Sequence, residues 1–78
     1  MTERDPRTDP RPGDVLRGKY QTKRVEHVIE PWVLLMVVSS FGANTIPEHG
    51  WRKSWEKIAA YRSFARAKTA TIIKRGDA

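Results

Sequence analysis

Residues 24–38 read Arg-Val-Glu-His-Val-Ile-Glu-Pro-Trp-Val-Leu-Leu-Met-Val-Val, and no other stretch of the chain is apolar enough to found a core. Before Pro31, apolar and charged side chains alternate and His27 falls on the apolar side, as in a strand with one solvated face. After Pro31, residues 32–38 form a continuous apolar run, which is typical of a strand covered on both faces. Because proline donates no ladder hydrogen bond and favours turns, Glu30-Pro31 predicts a hairpin between two strands.

Shorter elements flank this hairpin. A turn signal at residues 12–14 introduces a first strand, and a second turn precedes a brief fourth strand. Trp51 and Trp55 fall on one face of a helical wheel, so residues 51–60 predict a short helix, followed by a loop over 62–66. The predicted strands, in chain order, span residues 15–17, 23–30, 32–40, 45–46 and 67–74.

The order of these elements predicts a mostly β fold, a small SH3-like barrel of about five strands with one short helix before the last strand. The alternative is an α+β fold, in which one longer helix over residues 51–67 packs on a three-stranded antiparallel sheet. With 78 residues the chain has room for one domain. We assign a flexible N-terminal arm to residues 1–12, the barrel domain to 13–75 and a frayed C-terminus to 76–78.

Positive charge is concentrated in the last third of the chain. The formal net charge is +6, and residues 51–78 carry eight basic side chains against two acidic ones. Such an asymmetry predicts a basic surface that meets nucleic acid, an acidic protein surface or anionic lipid. The chain has no cysteine, which fits a reducing cytoplasm, and its longest apolar run is far shorter than the roughly 20 residues that span a bilayer. We therefore expect a cytoplasmic protein without a membrane segment.

The candidates for catalysis and metal binding are few. His27 and His49 are the only histidines, and their spacing does not bring two ligands onto one metal. Ser39 and Ser40 lack the sequence setting of a nucleophile, and the five glycines are scattered singly rather than gathered in a phosphate-binding loop. We therefore expect no enzymatic activity, no cofactor, no metal and no small-molecule substrate.

The sequence favours instead a non-catalytic basic binding module that contacts nucleic acid or a nucleic-acid-bound assembly. Cations that are close in sequence are expected to lie close in space and to meet phosphates. The aromatic rings least committed to the core, and so available to stack on bases, are Tyr20, Tyr61 and Phe64. An exposed Trp51 or Trp55 would be the best anchor for an interface. The predicted contact cations are Arg52, Lys53, Lys57, Arg62, Arg66, Lys68, Lys74 and Arg75.

Three short motifs carry a resemblance to a known group of proteins: Pro-Arg-Pro-Gly-Asp-Val-Leu at 10–16, Lys-Arg-Val-Glu-His-Val at 23–28, and Trp-Arg-Lys-Ser-Trp at 51–55. The chain resembles small phage and prophage proteins that begin with a Pro-x-x-Gly-Asp turn. The resemblance implies an SH3-like barrel and a mobile-element origin, although Leu16 stands where many of those proteins have an aromatic residue. An alternative function is then a phage-type inhibitor or modulator that docks on a host nucleic-acid-processing protein in the host cytoplasm.

Overall fold

The computed structural model describes residues 5–39 and 48–76, which form one antiparallel sheet of five strands and one helix. The elements are β1 (Val15–Arg17), β2 (Gln21–Ile29), β3 (Trp32–Ser39), β4 (Arg52–Lys57), α1 (Ile58–Ala65) and β5 (Thr71–Lys74). Their order across the sheet is β4-β3-β2-β1-β5, so β4 and β5 are the edges of an open sheet within the described residues. The mostly β prediction, with one short helix before the last strand, is confirmed.

The predicted hairpin of β2 and β3 is also confirmed, and it forms the centre of the sheet. Its register pairs Val25 with Leu35 but shifts before His27, because Glu26 is the extra residue of a β-bulge. The bulge moves His27 to the face opposite the one that strict alternation predicts. His27 is exposed, so the expectation that it lies on the apolar inner side was wrong.

The two faces of the apolar run of β3 are covered unequally, and on the face of Trp32 only Val38 is buried. Val33 and Leu35 are fully buried, whereas Leu34 and Met36 are only partly covered and Trp32 is exposed. The expectation that this strand is covered on both faces was therefore wrong. Helix α1 packs against one side of the sheet, which we call the inner face. The opposite side, which we call the outer face, carries the half-buried side chains.

Residues 52–57 form a strand, which corrects the helix predicted over 51–60. β4 runs antiparallel to β3 along its whole length, so it satisfies backbone groups on one side of β3 that would otherwise lack partners. The helix begins only at Ile58, whose N–H donates to the carbonyl oxygen of Pro31 at 2.9 Å. The peptide bond that precedes Pro31 in this turn is cis.

The structure corrects three further predictions, which concern the loop after the helix, the start of the last strand and the alternative fold. α1 occupies most of the predicted loop over 62–66, and β5 begins at Thr71 because residues 66–69 form turns and a bend. The alternative fold, with a helix over 51–67 on a three-stranded sheet, is wrong because the described sheet has five strands. The brief strand predicted at 45–46 lies outside the described residues.

α1 and the inner face enclose the hydrophobic core. Tyr61 is the largest fully buried side chain, and it lies on the same face of α1 as Ile58, three residues earlier. Beside the core, Lys23 Nζ is 3.1 Å from both carboxylate oxygens of Glu56 and 4.5 Å from the centroid of the Phe64 ring. This pairing offsets the cost of burying the ammonium group. The core cluster comprises Leu16, Val25, Val33, Leu35, Ile58, Tyr61 and Ala65.

Within the flexible arm predicted over residues 1–12, residues 6–8 contact α1, and residues 1–4 lie outside the described residues. Pro6 is fully buried, and its carbonyl oxygen accepts a hydrogen bond from the Tyr61 hydroxyl at 3.2 Å. Arg62 Nε donates to the carbonyl oxygen of Thr8 at 2.9 Å. Side chains of α1 therefore hold this segment by donating hydrogen bonds to its backbone carbonyl oxygens.

Arg7 joins the same segment to the end of α1. Its guanidinium group donates to the carbonyl oxygens of Ala65 and Ala70, both at 3.3 Å, and so satisfies a carbonyl group that the helix leaves unpaired at its C-terminus. We expect Arg7→Ala to lower the free energy of unfolding by about 1 kcal/mol, because two hydrogen bonds are lost. Arg7→Lys keeps the charge but not the fork of donors, and should recover only part of that loss. Urea denaturation followed by circular dichroism measures both; an alanine variant as stable as the wild type would contradict the prediction.

Gly76, which follows β5, packs on the turn that precedes β1. Gly13 has φ of +96°, a conformation that favours glycine. Gly76 packs so closely on this turn that a β-carbon on it would clash with the carbonyl oxygen of Pro12. Asp14 is fully buried, and its Oδ1 accepts a hydrogen bond from the Gly76 N–H at 2.7 Å. Gly76 is therefore not part of a frayed end, and the other two residues assigned to that end lie outside the described residues.

Candidate binding surface

Aromatic and basic side chains alternate along β4 on the outer face of the sheet. Cross-strand pairing places Trp55 beside Leu34 and Lys57 beside Trp32. Paired residues of antiparallel strands point to the same side, as do residues two apart on one strand. Lys53, Trp55 and Lys57 therefore share the outer face with the half-buried side chains of β3.

Three exposed side chains surround an apolar hollow on this face. Ile29, Trp32 and Trp55 line a cleft of about 390 Å³, which we call the tryptophan cleft. These side chains are 52%, 43% and 50% exposed, respectively. Adjacent apolar side chains with this much exposure mark interaction sites, whereas isolated ones are ordinary. The volume falls within the range of about 300 to 1,000 Å³ that is usual for ligand pockets.

Two cations lie over indole rings: one over Trp32, which lines the tryptophan cleft, and one over Trp51, which directly precedes β4. Lys57 Nζ is 5.7 Å from the centroid of the Trp32 ring, and Arg24 Cζ is 5.1 Å from the centroid of the Trp51 ring. Arg24 Nε also donates to Glu26 Oε1 at 2.7 Å. A cation over an indole contributes about 0.5 to 1 kcal/mol at an exposed site. These contacts hold positive charge beside aromatic surface, where a flat, anionic ligand could use both.

The structure does not gather the eight predicted contact cations into one surface, so that expectation was wrong. Lys53 and Lys57 lie on the outer face, but Arg52 occupies an alternate position of β4 and points to the other side. Lys74 lies in β5, at the opposite edge of the sheet. Closeness in sequence fails as a guide here because α1 carries the chain from one edge to the other. The remaining predicted cations lie in α1 or between α1 and the end of the described chain: Arg62, Arg66, Lys68 and Arg75.

Of the aromatic rings predicted to stack on bases, Tyr20 is exposed and Tyr61 is not. Tyr20 is 56% exposed and, with Phe64, lines another hollow of about 300 Å³. Tyr61 is 0% exposed, so placing it outside the core was wrong. The physical reason is that the helix spans 58–65 rather than 51–60, which turns the Tyr61 ring toward the inner face.

Sequence reasoning did not single out Ile29, Trp32 or Arg24 as contact residues. For Ile29 no local signal existed, because the bulge in β2 sets the side to which it points. For β4 a signal was present: over residues 51–57, tryptophan or lysine occupies every second position, and arginine, serine or glutamate occupies the others. A period of two is the mark of a strand with two different faces.

The outer face offers aromatic rings on which a flat group can stack and positive charge that attracts anions, and both features serve binding. The described residues contain no group of three or more His, Cys, Asp or Glu side chains placed to hold a metal ion. Within residues 5–39 and 48–76, no helix has the length and apolar character needed to cross a membrane. Comparison of the chain with models of protein families, with curated proteins and with solved structures finds no match.

Proposed function

We propose that the chain is a non-catalytic binding module that contacts nucleic acid, or an assembly bound to nucleic acid, through the outer face of its sheet. The observation that carries this proposal is the alternation of tryptophan and lysine in and just before β4, beside the exposed ring of Trp32. Indole rings stack on bases of any sequence, and ammonium groups between them pair with phosphates. The net charge of +6 attracts the chain to a polyanion before contact is made.

The number of outer-face cations sets the expected dependence on salt. Of the basic side chains on this face, Arg24, Lys53 and Lys57 lie on the strands that form the tryptophan cleft. If all three meet phosphates of a single strand, the log-log slope of affinity against salt is about −2. Affinity should then fall roughly 20-fold between about 50 and 200 mM salt.

Charge reversal on the outer face tests the proposal. In the double variant Lys53→Glu, Lys57→Glu, two phosphate contacts are replaced by repulsion, so we expect the affinity for a labelled oligonucleotide to fall about tenfold or more. Both side chains are exposed, so the fold should survive, which circular dichroism verifies. Fluorescence anisotropy at low salt measures the affinity.

A matched control separates the strands that form the tryptophan cleft from the total charge. Lys68→Glu, Lys74→Glu changes the net charge by the same amount but lies away from β4, in the turn after α1 and in β5. This control should retain most of the wild-type affinity. An equal loss in both double variants would contradict a specific contact surface, and no binding at low salt would contradict the proposed function itself.

The apolar lining of the tryptophan cleft supports a second candidate function, that of a phage-type inhibitor or modulator that docks on a host nucleic-acid-processing protein. Exposed tryptophans that fill a partner's pocket are frequent anchors of protein interfaces. Under this alternative, tagged protein should retain one dominant host protein from nuclease-treated lysate. Trp55→Ser should lose that protein, whereas Tyr20→Ser should retain it.

We also propose that the open sheet is a variant of an SH3-like barrel. β1 to β4 are consecutive neighbours and β5 returns to pair with β1, which is an order that closes readily into a small barrel. We further propose a mobile-element origin, on the resemblance to small phage proteins, and a cytoplasmic location, which the absence of cysteine fits.

A further inference from the structure

We infer that the tryptophan cleft is a base-stacking site that selects single-stranded over double-stranded nucleic acid. An unpaired base enters the cleft and stacks on Trp55, while Lys53 and Lys57 contact the neighbouring phosphates. This inference rests on the proposed function and adds the form of nucleic acid and the mode of recognition. The expected occupant is a nucleotide, because the apolar cleft can take a flat base while the basic side chains that border it on β4 contact phosphates.

The chemistry of the lining determines how a ligand is recognised there. Ile29, Trp32 and Trp55 carry no charged group, and the two indoles present large π-surfaces at 43% and 50% exposure. A base can therefore gain stacking and apolar contact through its flat face. Reading of the base edge needs donors and acceptors at fixed positions, which these three side chains supply only as indole N–H groups. We expect sequence-tolerant binding in consequence.

The spacing along β4 suits a strand of nucleotides. Trp55 lies between Lys53 and Lys57 on the same face, and side chains two residues apart on a strand are separated by about 7 Å. A ring flanked by two cations matches a base flanked by two phosphates. In a duplex the base faces are stacked on their neighbours, and exposing one of them costs a few kcal/mol of unstacking energy. Single strands avoid that cost.

The test compares three labelled probes that carry similar backbone charge per strand. The probes are single-stranded oligothymidylate of about 12 nucleotides, the same length of abasic sugar-phosphate strand, and a duplex of the same length. We expect the thymidylate strand to bind at least about tenfold more tightly than the abasic strand, because stacking is lost without bases. It should also bind more tightly than the duplex, and its binding should quench tryptophan fluorescence.

Variants of Trp55 link the effect to the cleft. Trp55→Leu keeps an apolar side chain but removes the stacking ring, so it should weaken binding of thymidylate about tenfold and leave binding of the abasic strand unchanged. Trp55→Phe should retain most of the thymidylate affinity. Tyr20→Leu, at the other hollow, should change neither affinity.

The possible failures are distinguishable. Equal affinity for abasic and thymidylate strands, or tighter binding of the duplex, would overturn the inference and leave a phosphate-contacting module intact. A Trp55→Leu variant that binds both single strands like the wild type would overturn the placement in the cleft. Absence of binding to all three probes at about 50 mM salt would overturn the proposed function together with the inference.

Discussion

Tyr61→Ala is expected to lower the free energy of unfolding by about 4 kcal/mol, the largest effect of any substitution considered. Tyr61 is 0% exposed and is the largest fully buried side chain of the described chain. Its removal eliminates apolar contact with the sheet and leaves a cavity between α1 and the inner face. A domain of this size is stabilised by about 5 to 15 kcal/mol at most, so much of the stability would be lost. Urea denaturation followed by circular dichroism measures the change.

Two control variants separate the buried ring from the hydroxyl group and from aromatic character in general. Tyr61→Phe keeps the ring and removes the hydroxyl group that donates to the carbonyl oxygen of Pro6, so it should cost about 1 kcal/mol. Tyr20→Ala removes a ring that is 56% exposed and should change stability by about 0.5 kcal/mol or less. If Tyr61→Ala were as stable as Tyr20→Ala, the position of α1 on the inner face would be wrong.

Asp14→Ala is expected to cost about 3 kcal/mol, because the Asp14 carboxylate joins the first turn of the domain to the end of β5. Asp14 Oδ2 accepts a hydrogen bond from the Arg11 N–H at 2.9 Å, and Oδ1 accepts one from the Gly76 N–H at 2.7 Å. The side chain is fully buried, so water does not easily replace it as an acceptor. Truncation leaves both N–H groups without these partners. A loss of this size lowers the melting temperature by roughly 12 to 24 °C in a small domain.

Substitution by asparagine refines this prediction. Asp14→Asn keeps the shape and one acceptor oxygen, so it should retain one of the two hydrogen bonds and lose less stability than the alanine variant. Asp9→Ala, which removes an exposed carboxylate 3.8 Å from the Arg11 guanidinium group, should have little effect. Thermal unfolding followed by circular dichroism ranks the three variants. A melting temperature of Asp14→Ala equal to that of Asp9→Ala would show that the carboxylate does not close the turn.

Local sequence signals predicted the centre of the sheet correctly. The alternation before Pro31 and the apolar run after it are properties of the strands themselves, and β2 and β3 appear where those patterns lie. β4 was predicted as a helix because Trp55 lies four residues after Trp51, a spacing that puts both on one face of a helix, and the period of two over residues 51–57, which indicates a strand, was not used. What decides between them is the unpaired side of β3, which a local pattern does not contain.

The binding surface was harder to predict than the fold because it depends on which side of a strand faces the helix. A single extra residue, Glu26, reverses the direction of His27 and Ile29 relative to Val25. The cleft then forms from residues of three different strands, which only the pairing brings together. The predicted cations Lys53 and Lys57 lie on this surface, but the distribution of the others depends on the crossing of α1 from one edge to the other.

The position of β1 between β2 and β5 has a consequence for synthesis of the chain on the ribosome. β2, β3 and β4 follow one another and pair with their neighbours in sequence, so they can assemble as the chain emerges. β1 precedes these strands, yet one of its edges stays open until β5, the last of the five described strands, has been translated. Contacts between distant parts of a chain form slowly. We therefore expect the outer face to take shape early, and the edge of β1 to remain open to other chains until β5 has been translated.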